Sequence, residues 1–422
     1  MEFEKDFQLI KQYDKEYCMN VFSLQDVAFT KGKGVYLYDT EGKKYMDMIG
    51  GIAVNSLGHG DPDLKRAITK QAGDLIHCCN YYYIASKSEL AFKLCQMSFA
   101  DKCFFCNSGA EANEAAIKLA RGYHYYKGTG RYEIITAKMS FHGRTMATIA
   151  ATGQEKFRRP FAPDVPGFLY VDFNDIDSLR DAMGPKTAAV MLELIQGESG
   201  VHPADKEYIR EVRKLCSEQG VLLIIDEVQT GIARTGRMFC YENYGITPDI
   251  MTLAKGLGGG VPIGACLATA NAATGFHPGD HGTTFGGNPL ATAAANAVLD
   301  KIKDKDLLIN VNSVSNYIFE TLNDMSRKNK GIKQIRGMGL LIGIEFDEIY
   351  SAPMVRDVLL SKGYLVSAIG TSTIRIAPPL IITQREAASF LKAVEGIIKK
   401  EKSIPLKIKA ALGSKPSETT EM

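Results

Sequence analysis

The hydrophobic pattern changes character twice along the chain. Between about residues 100 and 300, short apolar or β-branched runs alternate with amphipathic stretches. KCFFC (102–106) is followed by AEANEAAIKLARGYHYY (110–126), then YEIITA (132–137), TAAVML (187–192), KEYIREVRKLCSEQ (206–219), VLLII (221–225) and DIMTLA (249–254). Apolar strands without polar alternation, separated by segments of helical period, predict an α/β fold with a parallel sheet covered on both faces. After NPLATAAANAVLDKI (288–302), itself read as a helix, the pattern shifts. IRGMGLLIGIEF (335–346), GYLVSA (363–368) and STIRIAPP (372–379) predict antiparallel strands, and TQREAASFLKAVEGIIKKEK (383–402) a closing helix. That helix opens on a capping box, Thr383 with Glu386, and places Phe390, Leu391, Val394, Ile397 and Ile398 on one face.

GVYLYDTEGKKYMDM (34–48) predicts a strand pair turning at Thr40-Glu41-Gly42. The expected division is an N-terminal segment, 1–60, packing with the small domain; a large domain, 61–300; a small C-terminal domain, 301–402; and a flexible tail, 403–422. No internal repeat interrupts this plan.

Composition narrows the field. Of 422 residues, 45% are hydrophobic and 23% charged, enough to bury large cores. Fifty basic against 48 acidic residues give a net charge of +2, so no electrostatic case exists for nucleic acid or an acidic membrane. The charged start, MEFEKDFQLIKQYDKEY, lacks a signal-peptide core, and no apolar run reaches membrane-spanning length; a cytoplasmic protein is expected. The nine cysteines include one CxxC, Cys103 to Cys106, read as a buried, reduced pair on a strand. The seven histidines imply no metal site.

Ligands in open parallel sheets bind beyond the carboxyl ends of the strands, and five presumed strands end in chemistry. KCFFC leads into Asn107-Ser108-Gly109-Ala110-Glu111, EIITA into Phe141-His142-Gly143-Arg144-Thr145, and AAVML into Glu193 and Gln196-Gly197-Glu198. VLLII leads into Asp226, Glu227 and Gln229, and DIMTL into Lys255. Ser108 and Glu111 form a capping-box pattern, with Glu114 and Lys118 an i,i+4 ion pair on the same helix. The free N–H groups at that helix start suit a phosphate. Asp226, behind five apolar residues, needs a protein cation or a ligand cation such as a protonated ring nitrogen. A half-buried Lys255 either pairs with an acid or becomes a nucleophile.

Nucleotide motifs fail on spacing. The glycines follow Lys255 instead of preceding it, and Val261 and Ile342 stand where a third dinucleotide-binding glycine belongs. An amine, a buried acid and a phosphate-ready helix start suit pyridoxal phosphate.

NSGAEANEAAIKLAR, FHGRT, QGE, DEVQTG, RTG, LAKGLGGGVPIGA, HGTTFGGNPLA, RGMGLLIG and IRIAPPL together resemble, in order and spacing, the class III (subgroup II) pyridoxal-phosphate-dependent aminotransferases of fold type I. The likeness runs from about residue 20 to 400 and is nearest to the N-acetylornithine aminotransferase branch. It implies a large domain with a mostly parallel seven-stranded sheet, a smaller α/β C-terminal domain, and a homodimer with shared active sites. By the resemblance, Lys255 would bond to the cofactor aldehyde and later shuttle a proton, and Asp226 would pair with the ring nitrogen. Gln229 would bond the ring hydroxyl, Phe141 would stack on the ring, and Ser108, Gly109 and Ala110 would cradle the phosphate. Thr284 would complete that cradle from the neighbouring subunit. Arg144 would hold a substrate carboxylate and Arg375 the α-carboxylate of 2-oxoglutarate. Glu198 would cover Arg375 for the other substrate, with Glu193 nearby.

The chain departs from the family pattern at Leu194, where proline is usual, at Ala233 for glycine, and at Phe285 for tyrosine. The implied reaction takes N2-acetyl-L-ornithine and 2-oxoglutarate to N-acetyl-L-glutamate 5-semialdehyde and glutamate, in arginine biosynthesis. The alternatives are succinylornithine, succinyl-diaminopimelate, ornithine or GABA as donor, an aminomutase of the same fold, or a related protein without turnover.

Overall fold

Apolar runs without alternation require strands covered on both faces, and the sheet supplies them. The computed structural model, which describes residues 6–400, contains a seven-stranded sheet. Its strands are β1 (Lys102–Cys106), β2 (Glu133–Ala137), β3 (Phe168–Val171), β4 (Thr187–Glu193), β5 (Leu222–Asp226), β6 (Ile250–Leu253) and β7 (Gly264–Ala268). They lie in the order β1-β7-β6-β5-β4-β2-β3. From β6 to β3 all neighbours are parallel, and β7 alone runs antiparallel to both of its neighbours. Every residue of β4, β5 and β6 is buried, which explains their unbroken apolar text.

Two strands escape the apolar pattern. β3 is a half-buried edge strand. β7 reads Gly-Ala-Cys-Leu-Ala and looks like a continuation of the glycine loop before it.

Helix α1 (Gly109–Tyr126) packs against β7 and β6, α2 (Lys206–Gln219) against β5, and α3 (Pro289–Ile302) begins the passage to the second unit. Ser108 caps α1 by accepting from Glu111 N (3.1 Å), while Glu111 accepts from Asn107 N (2.6 Å), one residue earlier than a standard capping box. The expected Glu114–Lys118 pair does not form. Glu114 instead caps the next helix, accepting from Thr145 Oγ1 (2.5 Å), Ala147 N (3.1 Å) and Thr148 N (3.3 Å). Three donors at a positive helix end outweigh a surface pair worth about 0.3–0.5 kcal/mol. Lys118 turns to Asp280 O (3.0 Å) and His281 (2.9 Å).

The CxxC cysteines are both free and both on strand β1, as expected, with Cys106 buried and Cys103 half-buried, but they do not face each other. Three positions apart on a strand, their side chains leave opposite faces. Cys103 Sγ lies 3.7 Å from Cys95 Sγ, and Cys106 Sγ faces Ser108 O at 3.5 Å.

The second unit is an antiparallel sheet of β8 (Ile332–Met338), β9 (Leu341–Phe346), β10 (Ser367–Ile369) and β11 (Thr373–Ile376), ordered β8-β9-β11-β10. Helices α4 (Lys305–Lys328) and α5 (Gln384–Lys400) pack together beside it. The Thr383–Glu386 box closes in both directions (2.9 and 3.3 Å), and the expected α5 face is buried. Near the N-terminus, Tyr36–Asp39 and Lys44–Asp47 form the expected hairpin, joined by a third strand, Phe29–Lys33. Lys44–Asp47 pairs in parallel with Tyr364–Leu365, which ties this segment to the second unit. The expected tail, 403–422, lies outside the described residues. No helix among the described residues is long and apolar enough to cross a membrane.

Candidate active site

The carboxyl ends of β1, β2, β4, β5 and β6 surround a cavity of about 490 Å³. It is lined by Ser108, Gly109, Ala110, Phe141, Arg144, Glu193, Glu198, Asp226, Gln229 and Lys255. Of the residues given a role by the resemblance, Arg375 and Thr284 are not among its lining. Arg375 stands one residue behind the wall, bonded to Glu198 and Gln229. Thr284 is exposed in a loop outside the cavity.

Asp226, 5% exposed, ends β5. Its Oδ2 accepts from Asn113 Nδ2 (2.8 Å) and faces His142 Nδ1 (2.8 Å), and its Oδ1 accepts from Val228 N (3.0 Å). No arginine or lysine pairs with it among the described residues, so a structural ion pair of that kind is ruled out as the reason for its burial. Thr252 Oγ1 in turn donates to Asn113 Oδ1 (2.7 Å), and Asn113 Nδ2 also reaches His142 O (2.7 Å).

The sequence assigns Asn113, His142 and Thr252 no role in holding Asp226. The available signal was Asn113 itself, one turn after Gly109 on the buried face of α1 among Ala112, Ala116 and Ile117. Replacing Asn113 by alanine leaves Asp226, Thr252 and the His142 carbonyl each short of a partner. Stability is expected to fall by about 3 kcal/mol, read by denaturant unfolding. A change of less than about 1 kcal/mol would show that the network is dispensable.

Lys255 begins the turn after β6, with φ +40°. Its Nζ has no hydrogen bond or ion pair among the described residues. Burial, with the Arg375 charge adding, lowers its pKa below the usual lysine range, while Glu198, Asp226 and Glu193 oppose the shift. Burial pushes the Glu193 carboxyl well above its ordinary range, and the neighbouring Asp226 charge adds to this. Glu193 also accepts from Phe141 N (2.9 Å). Glu198 shifts the other way: burial alone would raise it, but Arg375 and Lys255 hold it below the usual carboxylate range.

Arg375 Nη1, on β11, donates to Glu198 Oε1 (2.5 Å), Gly197 O (3.1 Å) and Gln229 Oε1 (3.4 Å). Gln229 Nε2 completes the cluster on Glu198 (3.1 Å). Exposed Arg144 lies over Phe157 (4.1 Å) and Phe141 (5.5 Å).

The departures from the family pattern are absorbed locally. Leu194 is buried, and its carbonyl takes Ala204 N (2.9 Å) and Tyr244 Oη (3.0 Å), which hold the turn without a proline. Ala233 has φ 65°, the conformation that makes glycine the usual residue there, at a cost of about 1–2 kcal/mol. Phe285 packs against His77 at 5.3 Å. His277 and His281, four residues apart, do not converge on a metal-holding group. Their rings rest on Tyr126 (4.0 Å) and Phe104 (4.8 Å).

The family profile of class III aminotransferases matches residues 19–398. The chain belongs to this family. The aminotransferase is 49% identical over 387 residues to the acetylornithine aminotransferase of Caldanaerobacter subterraneus subsp. tengcongensis, covering 92% of this chain and 98% of that one. Among solved structures it is similar to the ornithine aminotransferase of Toxoplasma gondii, whose active site holds PLP at partial occupancy (TM-score 0.91, 31% identity, 95% and 96% covered). It also matches an N-acetylornithine aminotransferase from Stenotrophomonas maltophilia (TM-score 0.79, 36% identity, 93% and 99% covered).

Pyridoxal phosphate is the cofactor of this aminotransferase, and the residues present fit it. The N–H groups of Gly109 and Ala110 find no acceptor among the described residues, at the positive end of an 18-residue helix. A Cβ on Gly109 would meet Val228 Cγ1 at 2.6 Å, so only glycine leaves the cradle open. Among the described residues Asp226 pairs with no arginine or lysine and Lys255 Nζ has no hydrogen bond, so the carboxylate suits a ring cation and the amine an aldehyde.

Proposed function

We propose that this aminotransferase moves the δ-amino group of N2-acetyl-L-ornithine to 2-oxoglutarate, as a cytoplasmic step of arginine biosynthesis. The observation that carries the reading is the Arg375–Glu198–Gln229 cluster beside Lys255. A fixed guanidinium matches an α-carboxylate, and a carboxylate already covers it when that substrate is away. The 49% identity to an acetylornithine aminotransferase supports the choice of donor.

Pyridoxal phosphate, when bound, supplies an aldehyde that takes up the amino group and a ring that absorbs negative charge. Ser108, Gly109 and Ala110 would hold its phosphate, with Thr284 of a second subunit adding to the cradle. Asp226 would hold a proton on the ring nitrogen, and Phe141 and Gln229 would border the ring. Lys255 Nζ would be the amine that meets the aldehyde and the base that moves the proton at the reacting carbon. Arg144 holds the donor carboxylate away from that carbon, and Glu193 borders the same pocket. The cofactor domain would be 61–300, and the domain that brings Arg375 would be 301–402 with 1–60; of these, 6–400 are described. The homodimer is supported by the exposure of Thr284 and by bare aromatic surface at Tyr81 (93% exposed), Tyr83 (102%) and Phe285 (60%).

The test is a donor panel of acetylornithine, succinylornithine, ornithine, GABA and succinyl-diaminopimelate, ranked by kcat/KM with 2-oxoglutarate. Acetylornithine is expected first; ornithine or GABA in first place would overturn the choice of donor. Arg375→Ala is expected to raise the KM for 2-oxoglutarate about 10- to 100-fold, the worth of a charge-assisted bond, with the donor KM nearly unchanged. Equal effects on both substrates would contradict the role assigned to Arg375.

A further inference from the structure

Arg234 is a buried charge that the chemistry above leaves unused. It is 1% exposed and follows two non-glycine residues held in the left-handed region, Ile232 (φ 56°) and Ala233 (φ 65°). It forms no ion pair among the described residues. Asp47 is the acid whose charge it feels, but Asp47 is occupied with Ile49 N (3.0 Å), Gly50 N (2.8 Å) and His59 Nε2 (2.9 Å). Burial pushes the Arg234 pKa down to about 9, a sign of how strongly this position disfavours a charge.

The guanidinium bridges two backbone carbonyls. Nη1 donates to Leu340 O (3.1 Å) and Pro378 O (2.5 Å), and the Arg234 carbonyl accepts from Leu340 N (2.9 Å). Leu340 lies in the turn between β8 and β9, and Pro378 lies two residues past the end of β11. Arg375, on β11, precedes Pro378 by three positions. Arg234 belongs to the loop that leaves β5 at Asp226 and carries Gln229. One side chain thus ties the segment bearing Asp226 and Gln229 to the segment bearing Arg375. Other ties past β11 come from the N-terminal part of the chain, where Ala377 N donates to Met48 O (2.8 Å) and Leu380 N to Ser56 O (2.8 Å), and from α4, where Asn310 Nδ2 donates to Leu380 O (2.9 Å) and Ile382 O (3.0 Å).

An apolar side chain of similar size would fill this site without the desolvation of a guanidinium. Both bonds come from Nη1, and Nη2 is buried without a partner among the described residues. A lysine nitrogen could reach the same carbonyls, but on a flexible stem, where the planar guanidinium fixes the direction of Nη1. The arrangement makes sense where two carbonyls from different segments must be held in a fixed relation.

We propose that Arg234 is a positioning residue for Arg375, locking the end of β11 to the loop after β5 so that the keto-acid carboxylate and the reacting carbon share one frame. The proposal rests on Arg375 being the arginine that binds the α-carboxylate of 2-oxoglutarate. The Arg375→Ala measurement above tests that reading separately, because a non-selective Arg375→Ala defeats it whatever Arg234 does.

The first arm uses the wild-type holoenzyme in its pyridoxamine form with saturating glutarate, an unreactive dicarboxylate, and reads hydrogen exchange by mass spectrometry. Peptides covering 229–236 and 374–380 are expected to slow together, by about threefold or more. Slowing of 374–380 alone overturns the proposal. The second arm compares Arg234→Lys and Arg234→Gln. For each variant that folds, the KM for 2-oxoglutarate is expected to rise about tenfold or more, with the donor half-reaction within about twofold of wild type. Lysine is expected to recover more than glutamine. Equal losses in both half-reactions, or a lowered Tm with both KM values unchanged, make Arg234 merely structural and overturn the proposal. Should neither variant fold, the exchange experiment decides.

Discussion

Lys255→Ala is expected to slow the half-reaction with the amino donor by at least about a thousandfold, the upper part of the range for a removed acid–base group. The lysine has two roles in this account, as the nucleophile that bonds the cofactor and as the base that moves the proton. Both need an amine with an accessible neutral form, and burial next to Arg375 provides it by lowering the pKa. The loss should be chemical and not structural. Nζ carries no hydrogen bond, so truncation strands no buried partner, and stability should stay within about 1 kcal/mol. Single-turnover kinetics beside thermal unfolding check both halves of the expectation. A variant keeping more than about a tenth of the wild-type rate would remove Lys255 from the chemistry.

Asp226→Asn is expected to lower kcat about a hundred- to thousandfold, with little change in either KM. Two unit charges 4 Å apart interact by about 4 kcal/mol at an effective dielectric of 20. The neutral amide forfeits most of this where a ring nitrogen must stay protonated. Its volume matches aspartate, but whichever way the amide turns, its NH₂ group meets donors: Asn113 Nδ2 and His142 Nδ1 on one side, or Val228 N on the other. Cofactor affinity should therefore fall as well, read by titration of the cofactor-free protein. An unchanged kcat would show that Asp226 is a structural acid.

What could be read from the sequence follows from where free energy is concentrated. Strands β4, β5 and β6 are buried along their whole length, so their text is mostly apolar and the polar residues at or just past their ends stand out. Those residues, Glu193, Asp226 and Lys255, converge on one cavity. Edge strand β3 and the small-residue strand β7 have weaker patterns, and each is defined by pairing with a distant neighbour.

Support for the site was harder to see. The Asn113–His142–Thr252 network joins positions up to 139 residues apart, which no local spacing reveals. Glu114 shows the same limit: its i,i+4 partner was plain in the text, but a helix end brought in from a later segment competes better. Arg234 reads as one basic residue in Arg234-Thr235-Gly236, and only the approach of the second unit gives it two carbonyls to hold.

A covalent bond between Lys255 and the cofactor aldehyde is open to borohydride reduction of the holoenzyme, followed by peptide mapping. Bleaching and a phosphopyridoxyl group on the peptide containing Lys255 are expected. Bleached protein with that peptide unmodified, or with the label on another lysine, would rule the bond out.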